Sequence, residues 1–147
     1  MAGMPIADVI EIEQLLAKYS VKMTQKDIQT IIDEVFTPDG TYSAFGATYV
    51  LQDFPSLVEA APKGLYLTGT PLLELDGDKG SGAQPLLFVD QTSHDMRMGW
   101  YTDTYVRTEN GWRLETRSMT FLRRHGGADS GKAHDPRRPE PTAQPAG

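Results

Sequence analysis

An aspartate and an arginine in the last third of the chain have types and a spacing that could support chemistry at a site. The strand patterns "GWYTDTYVRT" and "GWRLETRSMTFLR" flank "ENG", and Asn-Gly is a strong signal for a tight hairpin turn. A turn centred on Asn110 puts Asp103 opposite Arg117. Arg117 could orient a carboxylate or carbonyl of a ligand. The pair could instead neutralise itself and fix the strand register, and spacing alone favours that structural role.

A second group of ionisable residues falls in and near the loop "SHDMRM". His94 is the only histidine before residue 125, and a histidine beside Asp95 could act as a general base. The turn "DGDK" predicts a hairpin that brings Leu67 near Asp90. These residues would share one rim of a cavity. An exposed loop histidine without a catalytic role is nevertheless the commoner case.

Two amphipathic helical patterns open the chain and meet at a short joint. Apolar residues, Tyr19 among them, recur at three- and four-residue steps and predict a helix over 6–22. Asp27 is the expected N-cap of a second helix over 26–36, which "TPDG" should end. The joint "KMTQKD" is a place for a carboxylate when two helices close over a pocket. Here Thr24 holds its first candidate position.

The remaining pattern is mostly sheet. A short third helix is predicted near 54–61, with Pro55 in its first turn. Long strands separated by "DG" and "NG" turns follow Gly64, which predicts an antiparallel meander. Helices that precede such a sheet must cover one of its faces, so the fold class is α+β, with three N-terminal helices on a strongly curved antiparallel sheet.

Alternation along the last hairpin divides its residues between two faces. The helix-covered face should carry Tyr101 opposite Met119 and Tyr105 opposite Glu115, with Phe121 further along. The other face is rich in threonine and uncharged, which suits solvent or a second subunit, and we expect a homodimer through it. Its predicted members are Trp100, Thr102, Thr104, Val106, Leu114, Thr116 and Ser118.

Length, composition and charge exclude several classes of protein. The chain has 147 residues, which fits one domain with a sizeable core. A net charge of −6 argues against a general nucleic-acid or anionic-membrane surface. No apolar run approaches the roughly 18 residues of a membrane span, and the N-terminal residues lack the pattern of a signal peptide. The absence of cysteine excludes disulfides and thiolate metal sites and fits a cytoplasmic protein.

The segment from 125 to 147 differs in composition from the rest. It is rich in proline and glycine and has no large apolar residue, which predicts a disordered tail after a domain over 1–124. His125 and His134 could ligate a metal, but solvated tail histidines are much commoner. We therefore predict no metal site, and we expect removal of the tail to change stability little.

By its ordered pattern the chain resembles a SnoaL-like domain of the nuclear transport factor 2-like superfamily. The resemblance rests on "IEQLLAKYS", "DIQTIIDEVFTPDGTY", "PLLELDGDKG" and above all "GWYTDTYVRTENGWRLETR". It implies a cone, in which three helices and a bent sheet enclose a mostly apolar pocket, and dimers through the outer sheet face. Enzymes of this superfamily include polyketide cyclases, steroid isomerases and dehydratases, most of which need no cofactor.

The resemblance also suggests which positions would carry chemistry. In the dehydratase branch a tyrosine late in the first helix corresponds to Tyr19, and an arginine on the last strand corresponds to Arg117. The aspartate and histidine of the usual acid–base dyad correspond to Thr24 and, approximately, Leu67. Neither threonine nor leucine accepts a proton readily at neutral pH. The dyad is therefore expected to be absent.

Three functions follow as hypotheses. The first is binding of a small, largely apolar molecule in a cone pocket of roughly 300–1,000 Å³. The second is a cofactor-free lyase or isomerase with a different acid–base set, for which Tyr19, Asp103, Arg117 and His94 are the candidates. The third is a dimeric interaction module. The expected ligand-binding residues are Tyr19, Thr24, Tyr42, Leu67, Phe88, Asp90, Tyr101, Met119 and Phe121.

Overall fold

The computed structural model describes residues 3–131, 133 and 138–141. Within them the chain forms helices α1 (Ile6–Gln25), α2 (Ile28–Glu34) and α3 (Phe54–Ala60), the last preceded by a 3-10 turn at Leu51–Asp53. The strands are β1 (Phe36–Ala44), β2 (Ala47–Val50), β3 (Gly64–Thr68), β4 (Leu72–Asp76), β5 (Lys79–Asp90), β6 (Met96–Thr108), β7 (Gly111–Leu122) and β8 (Ala128–Asp129). The predicted α+β class is confirmed. None of the helices in the described residues is long and apolar enough to cross a membrane.

The strands form one sheet in the order β2-β1-β7-β6-β5-β3, with β4 also paired to β5 and β8 to β7. Most neighbours are antiparallel, as predicted, but β1 runs parallel to β7. The sheet is therefore mixed. β1 begins at Phe36, two residues after the last residue of α2, and it includes "TPDG". This motif therefore lies within a strand and does not end a longer helix, as the sequence had suggested.

The register of the last hairpin agrees with the sequence analysis on one side of a bulge only. Tyr101 pairs with Met119, and Asp103 pairs with Arg117. The register then shifts, so that Tyr105 pairs with Leu114 and not with the predicted Glu115. A bulge of one residue reverses the faces beyond it. Leu114 is consequently buried in the core and does not belong to the outer face.

The apolar stripe of α1 packs into the concave side of the sheet. Ile12, Leu16 and Tyr19 are at most 1% exposed. The start of α1 is tied to the last hairpin by Asp8, which accepts hydrogen bonds from Arg107 and from the indole nitrogen of Trp112. These contacts fix the position of α1 along the sheet, and with it the depth of Tyr19 in the fold.

Parts of the predicted tail contact the domain. β8 pairs with the end of β7, and the Tyr49 hydroxyl donates a hydrogen bond to the Pro139 carbonyl at 2.6 Å. The Arg138 guanidinium also packs on aromatic rings. Composition registers large apolar side chains, so it carries no signal for these contacts, which backbone groups and an arginine make. Residues 132, 134–137 and 142–147, and with them the prediction for His134, lie outside the described residues; the domain boundary at 124 stays a prediction.

Candidate functional site

The helices and the curved sheet enclose a cavity of about 80 Å³. Its inner end is formed by fully buried rings, those of Tyr19, Phe54 and Tyr101. Half-buried side chains, among them Tyr66 and Arg138, mark its open end. The volume is well below the expected range for small-ligand pockets. The full lining is Tyr19, Met23, Tyr42, Phe45, Phe54, Leu57, Val58, Ala60, Ala61, Pro62, Tyr66, Leu86, Phe88, Arg97, Tyr101, Met119, Phe121 and Arg138.

The predicted ion pair lies directly behind the inner end of the cavity. Asp103 and Arg117 are both fully buried, and two parallel hydrogen bonds join them: Nε to Oδ1 at 2.8 Å and Nη2 to Oδ2 at 2.9 Å. Gln84 on β5 accepts a further hydrogen bond from Arg117 Nη2. The Tyr105 hydroxyl donates to Asp103 Oδ2 at 2.9 Å. Side chains from three strands therefore hold one another in a single network.

Arg117 does not line the cavity, because two tyrosine rings cover it. Its guanidinium carbon lies 3.7 Å from the ring centroid of Tyr101 and 4.5 Å from that of Tyr19. One nitrogen, Nη1, is buried without a hydrogen-bond partner in the described part of the chain. Stacking a guanidinium on aromatic faces compensates part of its desolvation. The arrangement favours the structural role for the pair, with Arg117 supporting the tyrosines that form the cavity floor.

The four tyrosines that line the cavity stay protonated because burial raises their pKa values. Burial raises the pKa of Tyr42 to about 12, and burial raises the pKa of Tyr66 above its ordinary value. Burial likewise raises the pKa values of Tyr19 and Tyr101 well above that of a free phenol. All four are therefore neutral at physiological pH, when a phenol can donate or accept a hydrogen bond but is a poor base.

Several predicted site residues lie away from the cavity. Thr24 donates from its hydroxyl to the Ser20 carbonyl at 2.9 Å and accepts from the Tyr66 backbone N–H at 3.0 Å, so it links α1 to β3. Leu67 is 55% exposed on the other side of β3. The side chain of β3 that faces the cavity is its neighbour Tyr66. Because successive side chains of a strand point to opposite faces, an offset of one residue separates Leu67 from the cavity.

The predicted rim of Asp90 and His94 is a self-contained loop turn. Asp90 accepts hydrogen bonds from the backbone N–H groups of Ser93 and Thr92, and these bonds lower its pKa. His94 is exposed and has a positive φ of 60°. Neither residue lines the cavity. The structure therefore does not bring this loop together with Tyr19, Asp103 and Arg117.

Other predicted ligand-binding residues do meet at the cavity. Tyr19, Tyr42 and Tyr101 line it, and so do Phe88, Met119 and Phe121. Sequence reasoning missed Arg97 and Arg138, which line the open end. Arg138 had no periodicity or turn signal, since it lies in the proline-rich stretch "PRRPEP". Among the described residues, no group of three or more histidine, aspartate or glutamate side chains could hold a metal ion.

A cone-like α+β fold with an apolar, tyrosine-lined cavity is the architecture that the sequence resemblance implied. The sequence profile of the SnoaL-like domain matches residues 4–118, which is most of the chain. The protein belongs to the SnoaL-like domain family, and the predicted resemblance is confirmed. An uncharacterised protein of Mycobacterium tuberculosis is 32% identical over 127 residues, covering 78% of this chain and 86% of that protein.

Solved structures share the fold at low sequence identity. A protein of unknown function from Mycobacterium tuberculosis, solved as a variant with one substitution, aligns with a TM-score of 0.74 and 22% identity over 81% of this chain and 79% of that one. An NTF2-like protein from Novosphingobium aromaticivorans aligns with a TM-score of 0.68 and 21% identity, covering 80% and 83%. A proposed scytalone dehydratase from that species gives 0.70 and 15%, covering 95% of each chain. These likenesses establish the fold alone.

Replacement of Arg117 by methionine should destabilise the protein by roughly 3–5 kcal/mol, because Asp103 would keep a buried charge without its partner. The double variant Asp103→Leu, Arg117→Met should recover part of that loss, since it removes both charges. Urea unfolding measures both free energies. Lys18→Met is the matched control: it breaks an exposed ion pair with Glu34 and should cost less than about 1 kcal/mol. A cost for Arg117→Met as small as that of the control would contradict the role of the pair.

Proposed function

We propose that the protein binds a small, largely apolar molecule in the cone cavity. The observation that carries the proposal is the lining: aromatic and aliphatic side chains surround the cavity, and tyrosines provide its neutral polar groups. Such a surface favours a flat ring with one or two oxygen atoms, because the ring can stack on aromatic faces and a phenol can donate to the oxygen.

The size of the cavity limits the ligand to about one ring. An engineered cavity of roughly 150 Å³ binds benzene, and the cavity here is about 80 Å³. A ring-sized ligand therefore requires a lining side chain to move. Arg97 can do so at the lowest cost, because it is only half-buried and lies at the open end. Ligands of several fused rings would need a larger rearrangement.

Binding without acid–base catalysis is favoured over the lyase or isomerase alternative. A proton-abstracting enzyme needs a group that accepts a proton near neutral pH. Within the described residues the lining contains neither a carboxylate nor a histidine, and its phenols have raised pKa values. Asp103 lies behind the tyrosine floor and is already bound to Arg117. We infer that Thr24 and Leu67 replace the dyad residues of the dehydratase branch.

A bulky side chain at the open end should block binding. Ala61 lines the cavity and is only half-buried, so Ala61→Trp should fill the opening without disturbing the core. With benzamide as the probe, we expect the affinity measured by ligand-observed NMR titration to fall at least tenfold. Ala7→Trp, which adds an indole at an exposed position of α1, should bind benzamide like the wild type. Equal benzamide affinity of the two variants would mean that the ligand binds outside the cone, which would contradict the proposal.

We also propose that the outer face of the sheet pairs two copies of the chain. Trp100 is 36% exposed there, and Met96 and Met98 are 60% and 42% exposed on the same strand. Thr104 and Thr116 lie opposite each other on this face and share a hydrogen bond of 2.7 Å between their hydroxyls. An uncharged, partly apolar face can pair with a copy of itself across a two-fold axis.

The dimer can be tested by placing a charge at its expected centre. Thr104→Arg would bring two like charges together across a two-fold interface, so it should shift the sedimentation coefficient from dimer towards monomer. Ser56→Arg adds the same charge on the exposed face of α3 and should leave the coefficient unchanged. If the wild type already sediments as a monomer at micromolar concentration, the proposed dimer does not form.

A further inference from the structure

Arg138 reaches the cavity from a segment close to the C-terminus. Its guanidinium carbon lies 4.1 Å from the ring centroid of Phe45 and 4.5 Å from that of Tyr49. The next residue is anchored, because the Tyr49 hydroxyl donates to the Pro139 carbonyl at 2.6 Å. Two aromatic faces and a hydrogen bond thus hold the Arg138 side chain against the open end of the cone.

Two hydrogen-bonding groups of Arg138 are not satisfied. Both Nε and Nη2 are buried and have no hydrogen-bond partner among the described residues. Burial lowers the pKa of Arg138, and the nearby Tyr49 and Glu140 oppose that shift only in part. No salt bridge joins Arg138 to Glu140 in the described part of the chain. A buried donor without an acceptor costs free energy, which a ligand with the right acceptor would recover.

The two unsatisfied nitrogens define the geometry of the missing partner. Nε and Nη2 lie on one edge of the planar guanidinium, and that edge is the one that forms a fork with a carboxylate. The protein contains an example of this fork, since Arg117 uses the same two nitrogens to hold Asp103 at 2.8 and 2.9 Å. Arg138 offers the same edge, with no carboxylate of the described residues on it.

The charge of the lining agrees with this geometry. Arg138 lines the open end, and the described lining contains no carboxylate. The lining tyrosines are neutral, so they do not compensate the positive charge of Arg138. The inner end of the cavity is apolar and aromatic. A ligand that complements both ends has an anionic group at the opening and a ring inside.

We infer that Arg138 recognises the carboxylate of a small aromatic acid bound in the cone, through a two-point contact from Nε and Nη2. This inference rests on the proposed function, because it assigns the class of ligand to the same cavity. It makes Arg138 the residue that selects an acid over a neutral compound of the same shape. Because even one ring requires a lining side chain to move, the small cavity restricts the acid to one resembling benzoate.

Benzoate and benzamide form the test pair, because they share a shape and differ in charge. Wild-type protein should bind benzoate at least tenfold more tightly than benzamide in NMR titrations. Arg138→Met should remove that preference, lowering benzoate affinity at least tenfold while benzamide affinity changes less than threefold. Arg138→Lys, which keeps the charge but loses the fork, should fall between them. Arg124→Met removes a charge from an exposed turn and should keep the full preference.

The outcomes separate this inference from the function on which it rests. Equal binding of benzoate and benzamide by the wild type would overturn the role of Arg138 and leave the cone as a site for neutral ligands. An unchanged benzoate preference in Arg138→Met, with the variant folded by its circular dichroism spectrum, would also overturn it. Failure of the wild type to bind either probe would overturn both the inference and the proposed function.

Discussion

The buried pair of Asp103 and Arg117 is the interaction on which the rest of the site depends. Both side chains are fully buried, where an isolated charge is costly, so each requires the other. Their network reaches Gln84 on β5 and Tyr105 on β6. It joins the three longest strands at one level of the sheet. Arg117 and Asp103 neutralise each other, which leaves the inner end of the cavity without net charge from this pair.

The position of the tyrosine floor follows from this pair. The rings of Tyr19 and Tyr101 cover Arg117 and meet each other edge to face, with centroids 5.8 Å apart. Because α1 is fixed along the sheet by Asp8, the Tyr19 ring cannot slide away from the arginine. The cavity therefore has an inner end built from buried aromatic rings and an outer end lined by two arginines. In the proposed function, such a site would select a ligand by shape at the inner end and by charge at the opening.

The sequence was sufficient to predict the fold class and the presence of the three helices. It also predicted the local register around Asp103 and Arg117, because a tight turn and strict alternation determine those pairings. It failed where the local rules are interrupted. The bulge beyond Thr104 moved Leu114 into the core, and no residue type marks it. The parallel pairing of β1 with β7 joins segments far apart in the chain, so no local pattern could reveal it. Arg138 escaped notice because an arginine among prolines carries no periodic signal.

We propose that the described lining of the cone offers hydrogen-bond donors but no group that accepts a proton near neutral pH. Carbon-13 NMR of protein labelled at the ζ-carbon of its six tyrosines tests this directly, since ionisation moves that resonance strongly downfield. Burial raises the pKa of the lining tyrosines above the ordinary value of about 10. We therefore expect every resonance of a lining tyrosine to stay at the neutral position between about pH 6 and 9.5. A cavity tyrosine that ionises below about pH 9 would supply a base inside the cone and overturn the proposal of binding without acid–base catalysis.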